Sequence, residues 1–288
     1  MSQQDFNAFH VRTDDGLILY GRDYRDVENS RLPVVCLSGL SRNSRDFHQF
    51  ALRQASEGRR VIALDYRGRG LSEWDDDKGN YNVVREARDV VMALDSLAVD
   101  KAIFVGTSRG GLIMHMLGAL APGRIGGIVL NDIGPVIESD GLRRILDYLS
   151  ARAEVSTFSD AAAHLNAIHG AEFPALNDVD WQDMAFALYR QIDGRLVADF
   201  DPLVIEPLKT IDFAVPLPDL WKQFELLASI PLLIIRGKNS KLLSEKTVSD
   251  MLARHSLAQS ITANGQGHAP ILHRDDVYQP ISEFLRGL

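Results

Sequence analysis

Residues 101–120, KAIFVGTSRGGLIMHMLGAL, leave the chain few options. A short apolar run ends at Val105, a Gly-x-Ser-x-Gly corner of Gly106, Ser108 and Gly110 follows at once, and an apolar-periodic segment opens directly behind it. The run reads as a buried strand and the segment as a helix. A strand that turns straight into a helix brings two chain directions close together, so glycines on both sides relieve crowding around a strained central residue. Ser108 then projects its hydroxyl beyond the C-terminal edge of a sheet, where doubly wound folds place ligands. The helix N-terminus behind it supplies free backbone N–H groups and a partial positive charge.

The rest of the chain repeats this rhythm. FHVRTDDGLILYGRDY predicts an antiparallel hairpin turning at Asp15-Gly16. Strands are expected at PVVCLS, RRVIALD, KAIFVG, IGGIVLND, PLLIIRG and AQSITA, and helices from about Ser44, Asn82 and Ser244 and in the closing DVYQPISEFLRGL. Val/Ile-rich runs alternating with helical periodicity describe an α/β fold with a mostly parallel sheet flanked by helices. Between Gly134 and Ser229 the pattern contains only amphipathic segments, GLRRILDYLSARA, SDAAAHLNAIHG, WQDMAFALYRQI and LPDLWKQFELLASI. The expected organisation is therefore a core of residues 1–133 and 230–288 carrying a helical cap over 134–229, within the size one core plus an insertion allows. Trp181, Phe186, Tyr189, Trp221 and Phe224 are candidates to line an apolar cavity under that cap.

Composition narrows the partners. With 45% apolar and 24% charged residues, and no apolar stretch near the ~20 residues that span a bilayer, the chain reads as soluble, with no membrane partner. Its N-terminus lacks a basic stretch followed by an apolar one, which predicts a cytoplasmic protein. The single cysteine, Cys36, excludes an intrachain disulfide or a multi-thiolate metal site, and its place in PVVCLS makes it a buried strand residue. A net charge of -8 argues against a nucleic-acid binder, which works by neutralising phosphate. A small-molecule substrate is the expected partner, and the sequence leaves the oligomeric state open.

A second chemical signal lies far downstream, where GQGHAP places His268 in a glycine-rich loop after the last strand, within reach of Ser108 as a general base. At these residues the sequence resembles the α/β-hydrolase superfamily, over nearly the whole chain. The likeness extends to LSGLSRNSRDF after the first long core strand, DYRGRGLS after the next, and NDIGP before the insertion. It implies an eight-stranded type of sheet and an oxyanion hole made by the backbone N–H of Arg109, after the nucleophile, and of Leu40 in the earlier loop. Ser38 stands where the family usually has histidine, which a backbone mechanism tolerates.

The likeness breaks at the triad acid. After PLLIIRG the family usually reads Gly-x-x-Ser-Asp, whereas this chain reads GKNSKLL, with Lys241 in the aspartate's place. An ammonium has no acceptor for an imidazole N–H. One reading takes Asp132 of VLNDIGP as the acid, supplied from the neighbouring strand. A second lets Asn239 or Glu138 orient His268. A third has the chain lose efficient catalysis and survive as a ligand-binding homologue.

With serine at the corner the expected chemistry is acyl transfer, on a small carboxylic ester, with lactone opening and C–C bond hydrolysis left open. Arg42 and Arg109 flank the expected oxyanion site and are candidates to attract a substrate carboxylate. No cofactor is expected: the Gly68-x-Gly70 pair lacks the third glycine of a dinucleotide fingerprint, with Glu73 in its place, and no phosphate-cradling G-x-x-x-x-G-K-S/T string occurs. His164 and His169, five apart, do not align on one metal ion and read as surface residues.

Overall fold

The computed structural model describes residues 5–24, 31–151 and 155–288; the last residues of the expected segment GLRRILDYLSARA lie outside them. In chain order the elements are β1 (Asn7–Arg12), β2 (Ile18–Tyr24), β3 (Val34–Leu37), α1 (His48–Ser56), β4 (Val61–Leu64), α2 (Val83–Ser96), β5 (Ala102–Thr107), α3 (Arg109–Leu120) and β6 (Ile125–Asn131). Then come α4 (Ser139–Ser150), α5 (Phe158–His169), α6 (Asp178–Leu188), β7 (Tyr189–Ile192), β8 (Arg195–Ala198), α7 (Glu206–Lys209) and α8 (Trp221–Glu225). The chain closes with β9 (Leu232–Gly237), α9 (Glu245–Arg254), β10 (Ala258–Ala263) and α10 (Asp275–Arg286).

Eight strands form one sheet in the order β1-β2-β4-β3-β5-β6-β9-β10. β1 and β2 pair antiparallel, β2 meets β4 antiparallel, and every pairing from β4 onward is parallel. The central strands are buried on both faces, as parallel strands between helix layers must be. Period-two alternation divides them: Val35 and Leu37 join the cluster containing Ile113 and Met114 of α3, while Val34 and Cys36 join the one containing Phe50 of α1 and Ile281 of α10. The sheet reverses its winding between β3, whose connection runs outward to β4, and β5, whose connection runs the other way to β6. A crevice opens where two such connections diverge, and both the loop after β3 and the Ser108 corner lie there.

The inserted region departs from an all-helical expectation. WQDMAFALYRQI is helical only to Leu188; Tyr189 begins a two-stranded hairpin with β8, turning at Asp193 (φ 48°) and Gly194 (φ 77°). The signal was an Asp-Gly pair between alternating residues. α5 and α6 share their own cluster of Ala161, Leu165, Phe173, Trp181 and Ala185. Phe224 and Leu227, in contrast, are buried in the main core with α3. Among the described residues no helix is long and apolar enough to cross a membrane.

Candidate active site

The corner is built by close approach. A Cβ on Gly106 would sit 2.7 Å from the Gly110 carbonyl carbon, and one on Gly110 would run into the Leu37 carbonyl of β3. The pinch holds Ser108 at φ 51°, ψ −113°, a left-handed conformation that costs a non-glycine residue about 1–3 kcal/mol. Asp132, the residue after β6, is held similarly at φ 56°. The ladder explains the symmetry. Thr107 and Asn131 face each other in register, so Ser108 and Asp132 are the first residues beyond one rung, and both turn off the sheet there. The Ser108 N–H bonds the Asn131 carbonyl at 3.0 Å, and the Asp132 N–H the Ile235 carbonyl at 2.8 Å.

His268 bridges these two residues. Its Nδ1 lies 2.8 Å from Asp132 Oδ2 and its Nε2 2.9 Å from Ser108 Oγ. A carboxylate only accepts, so Nδ1 carries the proton and Nε2 is left to accept from the serine hydroxyl. Asp132 is fully buried at 0% exposure. It also accepts from the Gly237 N–H at 2.8 Å and from Ser240 Oγ at 2.6 Å. Ser240 in turn receives the N–H groups of Leu242 and Leu243 at 3.1 and 3.2 Å, which turns its own proton toward Asp132. The imidazole loop is tied down by Asn131, whose Nδ2 donates to the Pro270 carbonyl at 2.9 Å.

Of the three candidates for the acceptor at His268, the structure brings Asp132 to it. Asn239 donates instead to the Glu172 carbonyl at 2.9 Å, and Lys241 is exposed. Ser240 was not singled out from the sequence, although it is the serine that survives from the Gly-x-x-Ser-Asp pattern. Leu40 and Arg109 flank Ser108, one in the loop after β3 and one opening α3. Among the described residues neither N–H has an acceptor, while Gly39 accepts from the Arg42 N–H at 3.2 Å.

Above the serine lies a cavity of about 820 Å³, lined by the loop after β3, by His268 and by the inserted region. Several expectations are corrected here. Arg109 pairs with Glu86 at 2.6 Å, and Arg42 grips Asp46 through two bonds of 2.6 and 2.7 Å, so neither guanidinium is free for a carboxylate. Of the five aromatic candidates only Tyr189 lines the cavity. Trp181 packs inside the α5–α6 cluster, Phe186 is exposed against Phe158, and Trp221 and Phe224 pack on each other beside α3. His164 and His169 are half-buried and face the cavity rather than the surface. Burial pushes the His169 imidazole down to about 4, assisted by the nearby Arg42 and Arg144 charges. Cys36 is fully buried in β3, which raises its thiol pKa and leaves it inert.

An eight-stranded, mostly parallel sheet with a strained serine corner at its switch point is the α/β-hydrolase fold. A model of the alpha/beta hydrolase family matches residues 34–279, and the chain belongs to that family. It is 32% identical over 256 residues to a 3-hydroxybutyrate-oligomer hydrolase of Cupriavidus necator, with 86% of each chain covered. It is 29% identical over 250 residues to the esterase YbfF of Escherichia coli, covering 84% of this chain and 87% of the relative. A crystal structure of an alpha/beta hydrolase from Novosphingobium aromaticivorans superposes with a TM-score of 0.92 at 33% identity over 100% of both chains.

Proposed function

We propose that this protein is a serine carboxylic ester hydrolase. Ser108 Oγ attacks the acyl carbon as His268 Nε2 takes its proton, and Asp132 holds the imidazole and stabilises the imidazolium that forms. The N–H groups of Leu40 and Arg109 receive the developing oxyanion. His268 then protonates the departing alcohol, and water, activated by the same imidazole, releases the acid from the acyl-enzyme. The observation that carries this reading is the hydrogen-bonded chain Ser108–His268–Asp132 at the floor of a cavity.

The region 134–229 acts in this reading as a cap that selects the ester. A volume of about 820 Å³ lies within the ~300–1,000 Å³ of small-molecule pockets. Each lysine and arginine lining it already has a carboxylate: Arg42 with Asp46, Arg45 and Arg190 with Asp199, Arg109 with Glu86, and Lys209 with Glu206. That supports esters uncharged near the scissile bond. Oligomeric hydroxy-acid esters, the substrates in the name of the C. necator relative, head the panel. The test is covalent labelling by a fluorophosphonate together with turnover of p-nitrophenyl acetate and of 3-hydroxybutyrate dimers as their methyl esters, which carry no carboxylate beside the scissile bond. Labelling and turnover are expected to vanish together in Ser108→Ala and labelling to slow sharply in His268→Ala. A folded wild-type protein that neither labels nor turns over any ester refutes the proposal.

A further inference from the structure

A buried chain of ion pairs lies behind the two free N–H groups, and the acyl-transfer steps above make no use of it. Glu86 of α2 is fully buried, and its two oxygens are divided between two arginines: Oε1 accepts from Arg69 Nη1 at 2.8 Å and Oε2 from Arg109 Nε at 2.6 Å. Arg69, equally buried, extends its Nε to the Leu40 carbonyl at 2.8 Å and its Nη1 to the Arg67 carbonyl at 2.7 Å. Arg109 gives Nη2 to the Tyr81 carbonyl at 3.1 Å. Buried charges are poor stabilisers, because desolvation offsets their attraction and apolar residues of similar size serve as well or better. The same helix already carries one such pair, Asp89 gripping Arg67 at 2.8 and 2.9 Å. The ends of the Glu86 chain set it apart: they are Leu40 and Arg109, which line the cavity together with Ser108 and whose N–H groups have no acceptor among the described residues.

We infer that Glu86 is a positioning residue that fixes the two oxyanion donors relative to one another, through Arg69 on the Leu40 side and through the Arg109 side chain on the other. This rests on the ester-hydrolase reading. The peptide plane bearing the Leu40 N–H is set by the Gly39 carbonyl, which is bonded to Arg42, and the next plane by the Leu40 carbonyl, which is bonded to Arg69. Leu40 is thus clamped on both sides. Arg109 is the first residue of α3, and two bonds to its side chain hold that first turn in place. Two guanidiniums against one carboxylate also leave one net positive charge behind the place where negative charge develops. Displacements of about 1 Å in such sites cost on the order of 10²-fold in rate.

The experiment compares Glu86→Gln and Arg69→Lys with Asp89→Asn, a break in an equally buried pair whose two side chains bond neither Leu40 nor Arg109. Active sites are titrated with a fluorophosphonate, so that kcat refers to competent molecules only. Inhibition by an aryl trifluoromethyl ketone, whose adduct places an oxyanion in the hole, is measured alongside. Glu86→Gln and Arg69→Lys are expected to lower kcat per titrated site by about tenfold or more, short of the ~10²–10³ that follows removal of a donor. KM should change little, and ketone affinity should weaken by the same factor as kcat. Asp89→Asn is expected to lower Tm and leave kcat per site unchanged. Arg69→Lys keeps a charge opposite Glu86, so it carries the test if Glu86→Gln fails to fold. Variants within about twofold of wild type in kcat per site, with unchanged ketone affinity, overturn the inference. Turnover that survives Ser108→Ala overturns instead the ester-hydrolase reading beneath it.

Discussion

Asp132→Asn replaces one oxygen by an amide nitrogen at a point where three donors converge: His268 Nδ1–H at 2.8 Å, Ser240 Oγ–H at 2.6 Å and Gly237 N–H at 2.8 Å. An asparagine side chain has one acceptor oxygen, not two. Placing that oxygen toward His268 sets the amide NH₂ against the Gly237 N–H, a buried clash of donors costing about 1–3 kcal/mol. The opposite placement sets NH₂ against His268. The imidazole then moves its proton to Nε2 and loses the lone pair that accepts from Ser108, which in serine triads costs about 10⁴ in kcat, or about 5.5 kcal/mol at 1.36 per decade. Because each placement leaves donor facing donor, at the Gly237 N–H in one and at the Ser240 Oγ–H in the other, neither is excluded, and kcat on p-nitrophenyl acetate is expected to fall between about 10² and 10⁴-fold. The KM should stay within a few-fold. Stopped-flow measurement of acylation, with circular dichroism to verify folding, reads the effect. A folded Asp132→Asn enzyme retaining more than about a fifth of wild-type kcat refutes the assignment of the acid.

Lys241→Asp is expected to leave turnover within about twofold of wild type, because Asp132 already occupies His268 Nδ1 and residue 241 is exposed; a gain in kcat would contradict this. Ser108→Gly should abolish turnover while raising stability by about 1 kcal/mol, since glycine adopts φ 51° without strain; urea denaturation checks the sign. His115 is buried in α3, with Nδ1 bonded to the Gly111 carbonyl at 2.7 Å, and burial lowers its pKa to about 4. Below about 6.5 the unfolded chain takes up a proton that the folded one refuses, so stability should decline from pH ~6.5 to ~4 by about 3 kcal/mol from this group. The slope measured by denaturation between these pH values should be shallower in His115→Gln, and an unchanged slope would contradict the assignment.

The parallel core was legible because its strands are short runs buried on both faces, and because a serine pinched between glycines fits few places other than a strand-to-helix corner. The hairpin of β7 and β8 was hidden by its neighbour: α6 runs into it without a break, so helical periodicity extends through Leu188 and masks the alternation that follows. The cavity aromatics failed for a different reason. Helical spacing identifies which side chains share a face and not what that face meets, and Phe224 turned toward α3 while Trp181 turned into the α5–α6 cluster. For the acceptor at His268, sequence position left three possibilities; the pairing of β5 with β6 sets Asp132 beside Ser108, and the loop after β10 carries the imidazole onto both. The link from Glu86 to Leu40 and Arg109 joins four separate segments, and no local pattern announces it.

Because Ser108 and Asp132, the nucleophile and acid of the proposed mechanism, emerge from one rung of two adjacent strands, the separation of their backbones is dictated by the interstrand spacing of about 4.8 Å. The turn after β9 is thereby relieved of any chemical duty beyond offering Gly237 and Ser240 as donors. Residue 241 is then open to drift, and a lysine there is compatible with the arrangement at His268, whereas Asn239 is tied to the Glu172 carbonyl at 2.9 Å. A search for kindred enzymes keyed to a carboxylate in that turn would pass over every chain wired in this way, while one keyed to paired left-handed residues closing neighbouring strands would collect them.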